Sequence, residues 1–142
     1  MNSSTVMTRD IVVVSPTVTA GVAARLMERR RIRHLPVVEY GRLVGILSDR
    51  DLLKRPPGTS CGAAMTPAPV TCLPSTSVSQ VAKLMLEHKI DSIPIVSYSG
   101  SLTGLVTSTD LLGLLTDLDE AQMLPFDFRL RRAASDSDPL FD

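Results

Sequence analysis

Two short stretches of the chain carry the same arrangement of polar groups. "GILSDRDLL" at residues 45–53 returns as "GLVTSTDLL" at residues 104–112. In each, a hydroxyl (Ser48, Thr107) precedes a carboxylate (Asp51, Asp110) by three residues, between an apolar run and a pair of leucines. Two kinds of chemistry suit that spacing. One is a capping box, in which hydroxyl and carboxylate each satisfy a backbone N–H at the first turn of a helix. That accounts for all four residues without a ligand. The other is recognition of a nucleotide-like small molecule. A helix N-terminus after a strand offers N–H groups and the positive end of its dipole to an anion. The hydroxyl can donate to a phosphate, and the carboxylate can accept both hydrogen bonds of a vicinal diol. Gly45 and Gly104 would let such a ligand approach the strand closely. For one copy the cap is the simpler explanation; two copies point to a pair of clefts.

Other reactive groups lead nowhere comparable. His34 and Asp51 are the types of an acid–base pair, but neither nucleophile nor oxyanion device accompanies them, so catalysis is not indicated. Cys61 and Cys72 are the only cysteines and have no metal-ligand spacing, with His34 and His88 remote in sequence; they read as reduced, buried or half-buried thiols. "RLMERRRIRH" holds Arg25, Arg29, Arg30, Arg31 and Arg33. Cations at a helix C-terminus are ordinary dipole complements. No aromatics interleave them, and 15 basic residues balance 15 acidic ones, which argues against a nucleic-acid surface. Arg33 stands apart because it falls beside a candidate cleft. Met27 and Met85 recur at matching helix positions and read as core or as a helix contact. The N-terminus lacks the pattern of a signal peptide, and no apolar run approaches the ~20 residues that span a bilayer. A cytoplasmic protein without membrane or nucleic-acid partners is expected.

The elements that position these groups come from a repeat. Met7–Leu53 lies over Met65–Leu112, with an offset of 58 up to Tyr40 and Tyr98 and 59 after one extra residue at Ser99. Each copy predicts a strand (11–14, 69–72), a helix (about 19–31, 77–88), two strands joined at Gly41 or Gly100, and a closing helix from Ser48 or Thr107. With 44% hydrophobic but only 4% aromatic residues, the core must be aliphatic. A unit of roughly 50 residues buries too little surface alone, and its sheet needs a cover. The expected architecture is therefore α+β: two β-α-β-β-α units packed sheet to sheet about a pseudo-twofold axis. The first unit, with its N-terminal lead, takes residues 1–55, a Pro- and Gly-rich linker 56–62, the second unit 63–116 and a tail 117–142. The tail holds all three Phe residues (126, 128 and 141), which suggests docking, whereas 133–142 reads as a polar, frayed end.

With those residues in place, the chain resembles a tandem pair of CBS domains, a Bateman module of the stand-alone prokaryotic type. "RIRHLPVVEYGRLVGILSDRDLL" and "KIDSIPIVSYSGSLTGLVTSTDLL" carry the likeness, over about residues 5–116. The resemblance implies a regulatory module, not an enzyme, with no required cofactor. Its ligand would be AMP, ADP, ATP or S-adenosylmethionine. Asp51 and Asp110 would then hold ribose, and Ser48 and Thr107 would touch phosphate. Arg50 and Thr109 would contribute beside them. Arg33 and His34, then Asp91 and Ser92, would sit near phosphates, and Ile32 and Ile90 would wall the adenine. Grouped by repeat, one cleft would gather Arg33, His34 and Arg50 and favour phosphorylated nucleotides. The other, with Asp91, Ser92 and Thr109, would be weaker, empty or suited to a neutral or cationic adenosyl ligand. The resemblance also implies a homodimer through helices and a separate regulated protein, signalled by a change in the angle between copies or in tail docking. The alternative is a structural or dimerisation module with vestigial clefts.

Overall fold

Each half is an amphipathic helix, a hairpin and a closing helix. The computed structural model describes residues 1–116; the Phe-bearing tail lies outside the described residues. The elements are α1 (Ser3–Val6), α2 (Ala20–Arg30), β1 (His34–Glu39), β2 (Arg42–Ser48) and α3 (Asp49–Leu53). There follow α4 (Cys61–Ala64), β3 (Thr66–Pro67), α5 (Val78–His88), β4 (Ser92–Val96), β5 (Leu102–Thr107) and α6 (Ser108–Thr116).

The halves match in detail. Thr19 and Ser77 cap α2 and α5 by accepting the Val22 and Gln80 N–H groups. Ala20, Ala23 and Met27 on α2, and Val81 and Met85 on α5, face the two cores. Both helices end in a left-handed residue, Arg31 (φ 54°) and Lys89 (φ 53°). The β1–β2 and β4–β5 hairpins are antiparallel, each with a register shift at the matching place, Val37/Val38 and Ile95/Val96. Tyr40 and Gly41 turn the first hairpin with positive φ at both positions (52° and 75°), the combination that matches strand twist in a two-residue loop. The second hairpin turns over Ser97–Ser101 and takes up the extra residue without disturbing the strands.

The predicted leading strands shrink to one rung each. Val14 donates to the Pro36 carbonyl (3.1 Å) and accepts from Val38 (2.9 Å); Cys72 does the same with Pro94 (3.1 Å) and Val96 (2.9 Å). The next parallel rung, to Val12 or Val70, would need an N–H from Pro36 or Pro94, and proline has none. The expected strands at 11–14 and 69–72 are therefore extended segments pinned at Val14 and Cys72.

The lead segments are exchanged between the halves. Residues 1–8, first in the chain, pack on the second half: Ser3 is fully buried, its hydroxyl donating to the carbonyls of Leu73 (3.0 Å) and Thr76 (2.6 Å), and Thr8 pairs with Leu105. Residues 59–67 pack on the first half, where Ala20 donates to the Thr59 carbonyl (2.7 Å) and β3 pairs with β2 at Gly45 and Ile46. Two cores result. Leu35, Val37 and Leu47 fill the first together with Cys61 from the segment between the repeats. Ile93, Ile95 and Val106 fill the second together with Met7 from the chain's beginning. An antiparallel bridge between Arg42 and Ser101 further ties the two hairpins.

This exchange corrects the reading of two glycines. A Cβ on Gly45 would meet Met65 Cγ at 2.8 Å and the Thr66 carbonyl at 2.9 Å; one on Gly104 would meet Met7 Cγ at 2.6 Å. The space at these glycines is filled by the exchanged methionines, not kept open for a ligand. Cys61 and Cys72 are buried and unpaired by disulfide, and burial pushes both thiols up, with the Thr76 hydroxyl partly offsetting this at Cys72. Met27 and Met85 are core residues. Among the described residues, no helix is long and apolar enough to cross a membrane.

Candidate functional site

Both capping boxes form. The Asp51 N–H donates to Ser48 Oγ (3.1 Å) while the Ser48 N–H donates to Asp51 Oδ2 (2.8 Å). In the second half the distances are 3.3 Å from the Asp110 N–H to Thr107 Oγ1 and 2.8 Å from the Thr107 N–H to Asp110 Oδ2. The cap leaves chemistry in hand. Each hydroxyl accepts one bond and keeps its O–H to donate, and each carboxylate keeps its second oxygen. Matching bonds hold the segment before each hairpin over these helix starts: Asp49 N–H to the Arg33 carbonyl and Ser108 N–H to the Asp91 carbonyl, both 2.9 Å.

Two cavities open beside the capping boxes, and each is composite. A smaller cleft of about 280 Å³ takes Thr107, Ser108 and Thr109 from the second repeat. Its opposite wall is Arg31, Ile32, Arg33 and His34 of the first repeat, over a floor of Asp10, Ile11 and Val12. A larger cleft of about 720 Å³ takes Ser48, Arg50 and Asp51 from the first repeat. Facing them are Lys89, Ile90, Asp91 and Ser92 of the second, with Ala68, Pro69 and Val70 alongside. The expected grouping by repeat is thus exchanged: Arg33 stands with Thr107 and Thr109, and Arg50 with Ile90 and Ser92. The same crossing that swaps the lead segments brings each closing motif against the other repeat's hairpin.

Of the residues singled out from sequence, Ile32, Arg33, His34, Thr107 and Thr109 line the smaller cleft, and Ser48, Arg50, Asp51, Ile90 and Ser92 the larger. Asp110 is not on the smaller cleft's wall; it caps α6 from behind Thr107. His34 reaches both clefts, because its Nε2 is bonded to Asp91 Oδ1 at 2.8 Å across the boundary between the halves. Sequence reasoning passed over Arg31 and Lys89. Arg31 belongs by pattern with the solvated arginines of the α2 end, yet it lines the smaller cleft, and Lys89 takes the matching place in the larger. Their positive φ, uncommon for long side chains, turns the chain from helix into the cleft wall. A basic residue at the same place in both repeats was the available signal. The floors (11–12 and 69–70) carry no sequence signal beyond that of a strand. Among the described residues no cluster of His, Cys, Asp and Glu could hold a metal ion.

Comparison with known proteins identifies the repeated unit. The CBS domain matches the chain twice in succession, over residues 4–58 and 61–117. Inosine-5'-monophosphate dehydrogenase of Thermoplasma acidophilum is 33% identical over 108 residues, 76% of this chain but 22% of the dehydrogenase. The chain thus spans about a fifth of that relative's length. Among solved structures, CBSX2 in complex with AMP superposes with a TM-score of 0.75 at 28% identity, covering 81% of this chain and 96% of that one. The CBS domain pair of MJ0100, in complex with 5'-methylthioadenosine and S-adenosyl-L-methionine, gives 0.77 at 25% identity, covering 82% and 96%.

Proposed function

The chain belongs to the CBS-domain family as a tandem pair, and on that premise we propose that it is a regulatory sensor of adenosyl ligands with no chemistry of its own. The observation that carries the reading is the composition of the two clefts. In each, a helix start with a spare hydroxyl donor faces a basic left-handed residue and an apolar residue of the other repeat. That combination suits a molecule with a flat apolar base at one end and a polar or anionic group at the other. The ligands in the CBSX2 and MJ0100 structures, AMP and S-adenosyl-L-methionine, have that form.

Charge supports a division of ligands between the clefts. Arg31 and Arg33 face Asp10 and Asp91 in the smaller cleft, whereas Arg50 and Lys89 are outnumbered by Asp49, Asp51 and Asp91 in the larger. Guanidinium groups match phosphate, so AMP belongs in the smaller cleft, and the larger takes a neutral or cationic adenosyl ligand. Because each cleft is built from both repeats, a ligand that binds one arrangement better shifts the angle between them, and a separate protein reads that shift. Leucines 53, 86, 112 and 115 stand exposed on α3, α5 and α6, which supports a homodimer through the helices. A cytoplasmic location completes the reading.

A second reading has its own support, since both capping boxes are complete without a ligand. In it the clefts are vestigial and the module is structural. Isothermal titration with AMP and with S-adenosylmethionine separates the two. The sensor reading expects binding at about micromolar strength, near −8 kcal/mol, reduced in Arg33→Ala for AMP. No heat with either ligand contradicts it and leaves the structural reading.

A further inference from the structure

The two clefts share one wall. His34 and Asp91 line both, and among the described residues no other does. They are not repeat equivalents: His34 matches Ser92, and Asp91 matches Arg33. At the junction of the halves there is accordingly one side-chain hydrogen bond, His34 Nε2 to Asp91 Oδ1, instead of two symmetric contacts. The partners differ in exposure. The Asp91 side chain is 57% exposed, so its carboxylate is open to whatever enters either cleft, while the His34 side chain is only 12% exposed.

Consider an anion arriving in the smaller cleft, where Arg31 and Arg33 attract it. His34 is the remaining donor on that wall, and its Nε2–H is already given to Asp91 (2.8 Å). A phosphate that takes this donor leaves the Asp91 carboxylate without its partner. On the far side of the pair, Arg50 and Lys89 face Asp49 and Asp51, with Asp91 as a third carboxylate. Without the His34 bond, the Asp91 carboxylate presents its charge to that cleft unshared, which repels a second anion and attracts a cation.

We propose that His34 and Asp91 are shared specificity residues, through which a phosphorylated ligand in the smaller cleft prepares the larger one for a cationic adenosyl ligand. The inference rests on the adenosyl-sensor reading and adds to it a linkage between the clefts. Linkage is reciprocal, so the cationic ligand equally tightens the anionic one.

The experiment is a titration of the whole chain with S-adenosylmethionine, with and without saturating AMP, at one fixed pH and salt concentration. It is repeated on Asp91→Asn, an exposed and nearly isosteric change. The proposal expects AMP to tighten S-adenosylmethionine by about fivefold or more in the parent protein, and to have no effect in Asp91→Asn. His34→Gln, which keeps a donor but not the ring geometry, should reduce the linkage too. Three results overturn the proposal alone: unchanged affinity with AMP present, weakened affinity, or linkage that survives Asp91→Asn. If neither ligand binds in any condition, the sensor reading fails and takes this inference with it.

Discussion

In the smaller cleft Arg31 and Arg33 stand against Asp10; in the larger, at matching positions, Lys89 and Asp91 stand against Ala68. The backbones around these residues are nearly interchangeable, with the same caps, the same left-handed turn after the helix and the same single parallel rung. The comparison teaches that the repeat fixes where a ligand could lie, and the unrepeated side chains decide which one. It also teaches that the two halves are not independent. Each core is completed by a segment that precedes the other repeat in sequence, Met7 in one case and Cys61 in the other.

The largest test of that symmetry is in the cores. Leu35 and Ile93 occupy matching positions and are both fully buried. Leu35→Ala and Ile93→Ala should each cost about 2–5 kcal/mol, measured by chemical denaturation. Because of the exchanged segments, each variant should still unfold in one transition. Two separate transitions would break the account of crossed halves.

A smaller effect should separate the halves. Gly45→Ala drives a methyl into the Thr66 carbonyl as well as Met65, whereas the nearest atoms at Gly104 all belong to the Met7 side chain, which can swing. Gly45→Ala should cost about 1–3 kcal/mol and Gly104→Ala less, read from the same denaturation curves. Equal costs would mean that β3 yields as easily as a side chain.

The caps come next. Asp51→Ala and Asp110→Ala should each lower stability by about 1 kcal/mol without ligand. Only Asp51 lines a cleft, so only Asp51→Ala should also weaken binding of S-adenosylmethionine in a titration. The smallest effect is at the thiols. Burial holds Cys61 and Cys72 protonated in the folded chain past the pH at which the unfolded chain ionises. Their contribution is thus fully present below the ordinary thiol range and is lost as pH rises through it. Stability should fall slightly across that alkaline window, and a Cys61→Ala, Cys72→Ala double variant should lose the slope.

What was legible in the sequence was local. Ser48 with Asp51 and Thr107 with Asp110 specify capping boxes within four residues, and Tyr40–Gly41 specifies a tight hairpin. The periodic apolar residues of α2 and α5 needed no distant partner to be recognised. The missing information was long-range. Nothing within residues 1–8 or 59–67 says which repeat they pack on, because both segments fit both halves by pattern; only the shared three-dimensional arrangement settles the crossing. The same ambiguity put Arg33 in the wrong company. Pro36 and Pro94 lack the N–H groups that a neighbouring parallel strand needs, and that consequence reaches residues 11–14 and 69–72 only through space. Arg31 was hidden among four other arginines, since a left-handed helix end cannot be told by residue type unless glycine occupies it.

The central claim is that each cleft joins one repeat's closing motif to the other repeat's hairpin. A double-mutant cycle on AMP binding tests it most directly, pairing Arg33→Ala first with Thr109→Val and then with Arg50→Ala. The account predicts a coupling energy of at least about 0.5 kcal/mol for Arg33 with Thr109, and additive effects for Arg33 with Arg50. Coupling to Arg50 with additivity at Thr109 would restore the grouping by repeat and contradict the crossed clefts.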